Sequence, residues 1–223
     1  MTINLSEIYA GLKAYRHERG LTAQNQKSGY IVNVMEEIGE LAEALRDYEK
    51  IKNGEQVIKK YIASEWVENN AKYALIKYKK VTLADAEYSI IDALCDISVF
   101  TINAGADIPC EYKPYSIETS SDLSRMGALA SIFYEIRESY FRSRNDDRAL
   151  IFGRTLVFLA TICESYGYNF EIAMIETIKE ISSRTGSYDE VAKKWVKDTS
   201  DEAKAKWYKA DFEKARILKW KIK

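Results

Sequence analysis

Residues 31–45 read IVNVMEEIGELAEAL. Ile31, Val34, Met35, Ile38, Leu41, Ala42 and Leu45 recur at steps of three and four, the spacing of a helix that buries one stripe. Glu36, Glu37, Glu40 and Glu43 fall between them. The pattern predicts a helix from about Gly29 to Lys52, ended by Asn53-Gly54. A helix of this length with one apolar stripe needs partners to bury it, which fits the expected all-α fold class.

The rest of the chain reads the same way. A first helix is expected from a cap at Asn4, with Glu7 at the capping-box position, to about Arg19. Residues 55–80, rich in Lys and Tyr, read as an inserted helix. Leu83 to Ala104 reads as a further helix, apolar on nearly every side. Others are expected at about 123–142, 147–166, 169–183 and 200–222, the last opening on Ser200 with Asp201 and Glu202 behind it. Strand-like alternation is not evident. The 223 residues include Pro 2 and Gly 10, and so few breakers favour long helices in a bundle.

The formal net charge of −1 provides no global basic field, so nucleic acid is not an expected partner. The basic stretch Lys204 to Lys223 reads as the solvated face of a terminal helix. Cys95, Cys110 and Cys163 are far apart and imply no disulfide. No cationic segment followed by an apolar core opens the chain, and no apolar run is long enough to span a bilayer. A cytoplasmic protein with no membrane partner is the expectation.

The two halves can be laid over one another. Met35 to Glu40 aligns with Phe133 to Glu138, and Thr101-Ile102 with Thr161-Ile162, which sets Asp92 and Asp96 against Phe152 and Leu156. This suggests an internally duplicated pseudo-dimer packed as one domain. Residues 1–108 would be the catalytic unit, and 109–223 a degenerate second unit plus the C-terminal helix. Residues 105–122, with Pro109 and Pro114, would link them.

Chemistry is concentrated in two acidic helices. Glu37 and Glu40, or Glu36 and Glu40, share a helical face. Glutamates in a run are commonly just a solvated face. Asp92 and Asp96 are more informative, because they sit four apart among Ile90, Ile91, Leu94, Ile97 and Val99. Two carboxylates on a buried helix repel and are costly to ionise without compensation. A divalent cation would supply it, as would a lysine or arginine from another helix. Oxygen-only donors fit Mg²⁺, with Mn²⁺ as a substitute. Asn103 lies close to the same stripe. The one histidine, His17, is far from these motifs and reads as a surface residue, which argues against di-iron and zinc chemistry. No GxxxxGK[ST] occurs, so a P-loop is excluded.

Glu-Glu-Ile-Gly-Glu-Leu-Ala-Glu-Ala-Leu (Glu36 to Leu45), followed by Asp92-Ala-Leu-Cys-Asp96, resembles the all-α nucleoside triphosphate pyrophosphohydrolases. These include MazG-like proteins, dimeric dUTPases and phosphoribosyl-ATP pyrophosphohydrolases. The tail, Thr177 to Gly186 with Lys194-Trp195-Val-Lys197-Asp198 and Trp207 to Asp211, looks like that of phage-type members. The family usually ends its second motif Glu-x-x-Asp. Here Ala93 stands three before Asp96, and Asp92 would substitute.

The resemblance implies a Mg²⁺-dependent hydrolase that converts a (deoxy)nucleoside triphosphate to monophosphate and pyrophosphate. Glu37, Glu40, Asp92 and Asp96 would hold the metal, and Glu36 would be the general base. Lys27, Lys179 and Arg184 would contact phosphates, and Asn103 sugar or phosphate. Tyr30 and Trp66 are candidates for stacking on a base. A homodimer would fit the family. The alternatives are a dUTPase narrow for uracil and a helical interaction protein that has lost catalysis.

Overall fold

The computed structural model describes residues 5–67, 71–106, 125–141, 145–189 and 194–217. Among them the protein is mainly helical, with two small two-stranded sheets. Helix α1 spans Ser6–Glu18 and α2 spans Ala23–Lys52. Strands β1 (Ile58–Val67) and β2 (Ala71–Lys80) precede α3 (Leu83–Ala104). Then come α4 (Arg125–Phe141), α5 (Asn145–Ser165) and α6 (Phe170–Ser183). Strands β3 (Gly186–Asp189) and β4 (Lys194–Lys197), a short α7 (Asp201–Lys204) and a 3-10 turn (Phe212–Ala215) complete the order.

Helix α3 is the centre of the bundle. It packs on α2 along its length and also meets α1, α5 and α6. That surround explains why it is apolar on nearly every side. Ile90, Ile91, Leu94, Cys95 and Ile97 are wholly buried. Helix α2 lies antiparallel to it: the Tyr30 and Thr101 hydroxyls share a hydrogen bond at 3.3 Å, while Glu37 and Glu40, further along α2, face Asp96 and Asp92, earlier on α3. The stripe of α2 that enters the core is Tyr30, Val34, Ile38, Leu41 and Leu45. Met35, expected in that stripe, is exposed.

The caps are local and strong. Thr22 and Asn25 form a reciprocal capping box at the start of α2, so that helix begins six residues before the expected Gly29. Thr82 and Asp85 do the same for α3, and Asn169 accepts from the Ile172 amide at the start of α6. Ser200 caps α7 as expected. Asn4 and most of the 105–122 linker, with Pro109, Pro114 and Cys110, lie outside the described residues, as does the 108/109 unit boundary. Gly54, at φ 83°, closes the turn after α2.

Two expectations are corrected. Residues 55–80 do not form a helix. They form an antiparallel ribbon in which Ile58 faces Lys80, Ile62 faces Ile76 and Trp66 faces Lys72. Ile, Tyr, Trp and Val suit a pleated surface better than a helix. The 200–222 helix is likewise absent as far as Ile217. After α7 the chain runs over α6 and is held there by two buried glutamates. Glu176 accepts from the Tyr208 hydroxyl and from the Asp211 amide at 3.2 Å, and Glu180 accepts from the Ala210 amide at 2.7 Å. Side-chain carboxylates thus take the amide bonds a helix would have supplied internally. The basic stretch is solvated but not one helical face: the exposed Lys214 and Lys209 reach back to Glu176 at 3.3 Å and Glu180 at 3.5 Å.

Helices α4 and α5 pack on each other as α2 and α3 do, with α2 on α4 and α3 on α5. Thr101 and Thr161, superposed by the sequence, each donate to the carbonyl four residues back. Glu135, which overlies Glu37, is neutralised by Arg154 at 2.6 Å. Phe152 and Leu156, which overlie Asp92 and Asp96, are core residues. Among the described residues, no helix is long and apolar enough to cross a membrane.

Candidate functional site

A polar stripe of α2 and a polar stripe of α3 line one cleft of about 740 Å³. Helix α2 contributes Gly29, Asn33, Glu36, Glu37 and Glu40, at steps of three and four. Helix α3 contributes Asp92, Asp96, Val99, Phe100 and Asn103 at the same steps. These are the positions left after the opposite stripes are committed to the core. Ala93 is buried in that core, one position around the helix from Asp92. A side chain at 93 lies about 60° around the helix from Asp96, beside the Phe100 edge of the lining, whereas Asp92 lines the cleft itself.

Burial acts on this cluster. Glu37 is pushed up to about 8, first by desolvation and then by Asp96, Glu40, Asp92 and Glu36. Asp96 is pushed up to about 7, again first by desolvation and then by Asp92, with Arg184 opposing. Asp92 is raised, chiefly by desolvation, while Lys209 and Arg184 oppose. None of the five carboxylates makes a hydrogen bond or ion pair with a described residue. Two nearby cations are bound to another carboxylate: Arg184 gives its Nη2 to Glu180 Oε1 at 2.8 Å, and Lys209 also goes to Glu180; Lys197 lines the cleft but pairs with none of the five among the described residues. Among the described residues, an ion pair from another helix, the alternative way to stabilise Asp92 and Asp96, is not formed.

Among the described residues, no three His, Cys, Asp or Glu side chains are already gathered at ligand spacing. The donor set itself suits a hard divalent cation. It consists of carboxylate oxygens on two packed helices, none of them ion-paired with a described residue. Glu37, Glu40, Asp92 and Asp96 are the residues that would hold the ion.

The other expected residues divide. Asn103 lines the cleft, and its Oδ1 accepts from Arg16 Nη1 at 2.6 Å. This bond fixes the amide so that its NH₂ is left as the free end. Arg184 also lines the cleft. Lys179 does not; it pairs with Glu176 at 2.7 Å, one turn back on α6. Lys27 is not part of the lining either. Tyr30 is a core residue, edge-on to Phe152 at 5.9 Å, so it presents no face to a base. The Trp66 side chain lies outside those described. His17 is exposed, as expected.

Comparison with protein-family models, curated proteins and solved structures returned no match.

The lining also holds residues that the sequence did not single out for the site: Tyr15, Gln26, Trp195 and Lys197. Tyr15 is brought in by α1 packing on α6. Trp195 and Lys197 arrive on β4, about a hundred residues after Asp96. Only Lys194 to Asp198 as a tail motif gave any signal of them.

Proposed function

We propose that this chain is a Mg²⁺-dependent nucleoside triphosphate pyrophosphohydrolase of the all-α, MazG-like type. The observation that carries the reading is a pair of packed helices that bring five carboxylates to one cleft, with no lysine or arginine among the described residues bonded to any of them. Glu37, Asp92 and Asp96 are partly buried, and acids held so without a bonded counter-charge are unfavourable for folding alone, a feature expected where a ligand supplies the charge.

The reaction breaks the bond between the α-phosphorus and the α,β-bridging oxygen. A water oxygen adds to the α-phosphorus, its proton is taken up, and pyrophosphate leaves with the bridging oxygen. Glu36 lines the cleft beside the proposed ligands and accepts the proton from the water. Glu37, Glu40, Asp92 and Asp96 hold the cation, which supplies charge neutralisation for the triphosphate and the departing pyrophosphate. The free NH₂ of Asn103 donates to a sugar or phosphate oxygen. Arg184, held by Glu180, keeps its remaining N–H groups for a phosphate oxygen.

What favours activity over an inactive descendant is that Asp92 brings a second α3 carboxylate to the cleft although position 93 is alanine. The test is product identification. A panel of dNTPs and NTPs is incubated with Mg²⁺ and followed by ³¹P NMR. Monophosphate and pyrophosphate in equal amounts are expected. Diphosphate with orthophosphate, or no turnover of any nucleotide, would refute the reading. Turnover of dUTP alone would assign the narrow dUTPase.

A further inference from the structure

Part of the cleft wall comes from β4, which the chemistry above does not use. Alternation along a strand puts Trp195 and Lys197 on one face and Val196 on the other. The first two line the cleft, and Val196 is exposed. Tyr188 faces Trp195 and Gly186 faces Lys197 on β3. Gly186 is required there. A Cβ at this position would stand 2.3 Å from the Val196 carbonyl oxygen and 2.8 Å from the Trp195 indole nitrogen. The indole is therefore seated directly on backbone.

Its other support is Arg19, whose guanidinium carbon lies 5.2 Å from the Trp195 ring and 4.3 Å from the Tyr15 ring. Arg19 is itself buried and donates to the carbonyl oxygens of Ile181, Ser182 and Arg184 at 3.3, 3.0 and 3.0 Å. The ring is thus pre-positioned at the edge of an acidic cleft. Lys197, one pleat further on, makes no hydrogen bond or ion pair with a described residue, although five carboxylates share the cleft with it. Arg184, the other cation on the lining, is already committed to Glu180.

We propose that β4 is the edge that receives the nucleotide: the Trp195 indole is the platform for the base, and Lys197 pairs with the phosphate chain. The inference rests on the hydrolase reading and names which residues hold the two ends of its substrate. Every base has a π face, so stacking on Trp195 gives affinity with little choice among bases. A lysine without a partner at the edge of a carboxylate site suits a ligand that brings its own negative charge together with a divalent cation.

The experiment compares wild type with Trp195→Leu, Trp195→Phe and Lys197→Ala. Two quantities are read: KM and kcat for a dNTP, and the inhibition constant of inorganic tripolyphosphate, which has the phosphate chain and no base. Trp195→Leu is expected to raise KM about ten-fold, with kcat within about two-fold and the tripolyphosphate constant unchanged. Trp195→Phe restores most of the affinity. Lys197→Ala raises KM and the tripolyphosphate constant together, by about ten-fold. Equal shifts of both constants in Trp195→Leu, or no shift in either, would overturn the base platform. An unchanged tripolyphosphate constant in Lys197→Ala would overturn the phosphate assignment. A wild type that turns over no nucleotide overturns the hydrolase reading and this inference with it, whereas an active wild type indifferent to Trp195 and Lys197 overturns this inference alone.

Discussion

Cation binding should expel protons, and the structure sets how many. Glu37 is held up at about 8 and Asp96 at about 7 by burial and by their acidic neighbours. At pH 7 the first is about nine-tenths protonated and the second about half, so the pair carries about 1.4 protons. Both must be carboxylates to ligate, and metal binding is therefore proton release. The apparent association constant for Mn²⁺ should rise about 1.4 log units per pH unit near pH 7 and flatten above about pH 9. Calorimetric titration in PIPES and in Tris, whose ionisation heats differ widely, counts the protons directly. Glu37→Gln should lower the count to about half a proton or less. Equal heats in the two buffers, or an affinity that does not change between pH 6 and 8, would refute the assignment of these groups as ligands.

Stability without added metal follows from the same groups. Raised carboxyl values mean that the folded state holds protons the unfolded chain has lost, so stability falls as pH rises from about 4.5 to about 8. Thermal melts across that range should show the decline, and saturating Mg²⁺ should largely remove it; a flat profile without metal counts against the burial of the cluster. Glu176 behaves oppositely. Burial pushes it up, but bonds from Lys179, Tyr208, Asp211 and Lys214 outweigh this and hold it at about 2. Its stabilisation is complete above about pH 4.5 and lost as pH falls toward 2. Glu176→Gln should cost about 2 kcal/mol, lowering the melting temperature by about 4–8 °C, and a shift under 1 °C would contradict the strap it anchors. Lys179→Ala, although in a basic position expected from sequence to touch phosphate, should leave KM within about two-fold, since the side chain is turned to Glu176. A ten-fold loss in a steady-state assay would return it to the site.

Helices whose periodicity was dictated by a core were readable residue by residue. Leu83 to Ala104 needed no knowledge of its neighbours, because a helix surrounded by α1, α2, α5 and α6 has to be apolar all round. The acidic stripes were readable for the same reason, being the interruptions in that pattern. The ribbon at 58–80 was missed because lysines occupy both faces and mask the alternation of Ile58, Ile62 and Trp66. The tail was missed because its conformation is decided by Glu176 and Glu180, some thirty residues earlier, and no local window contains both. Lys179 was misplaced although its partner stands three residues before it, at a spacing that brings two helical side chains together. Trp195 and Lys197 reach the cleft only through the tertiary packing of β3 and β4 under Arg19.

The claim that these carboxylates hydrolyse nucleotides is tested most directly by pyrophosphate release from the preferred dNTP, with Mg²⁺ and with EDTA, for wild type and Asp96→Asn. The account predicts release that needs the metal and falls at least a hundred-fold in the variant, while the variant melts at or above the wild-type temperature because a buried charge has been removed. Release that survives EDTA, or an Asp96→Asn enzyme as active as wild type, would contradict it.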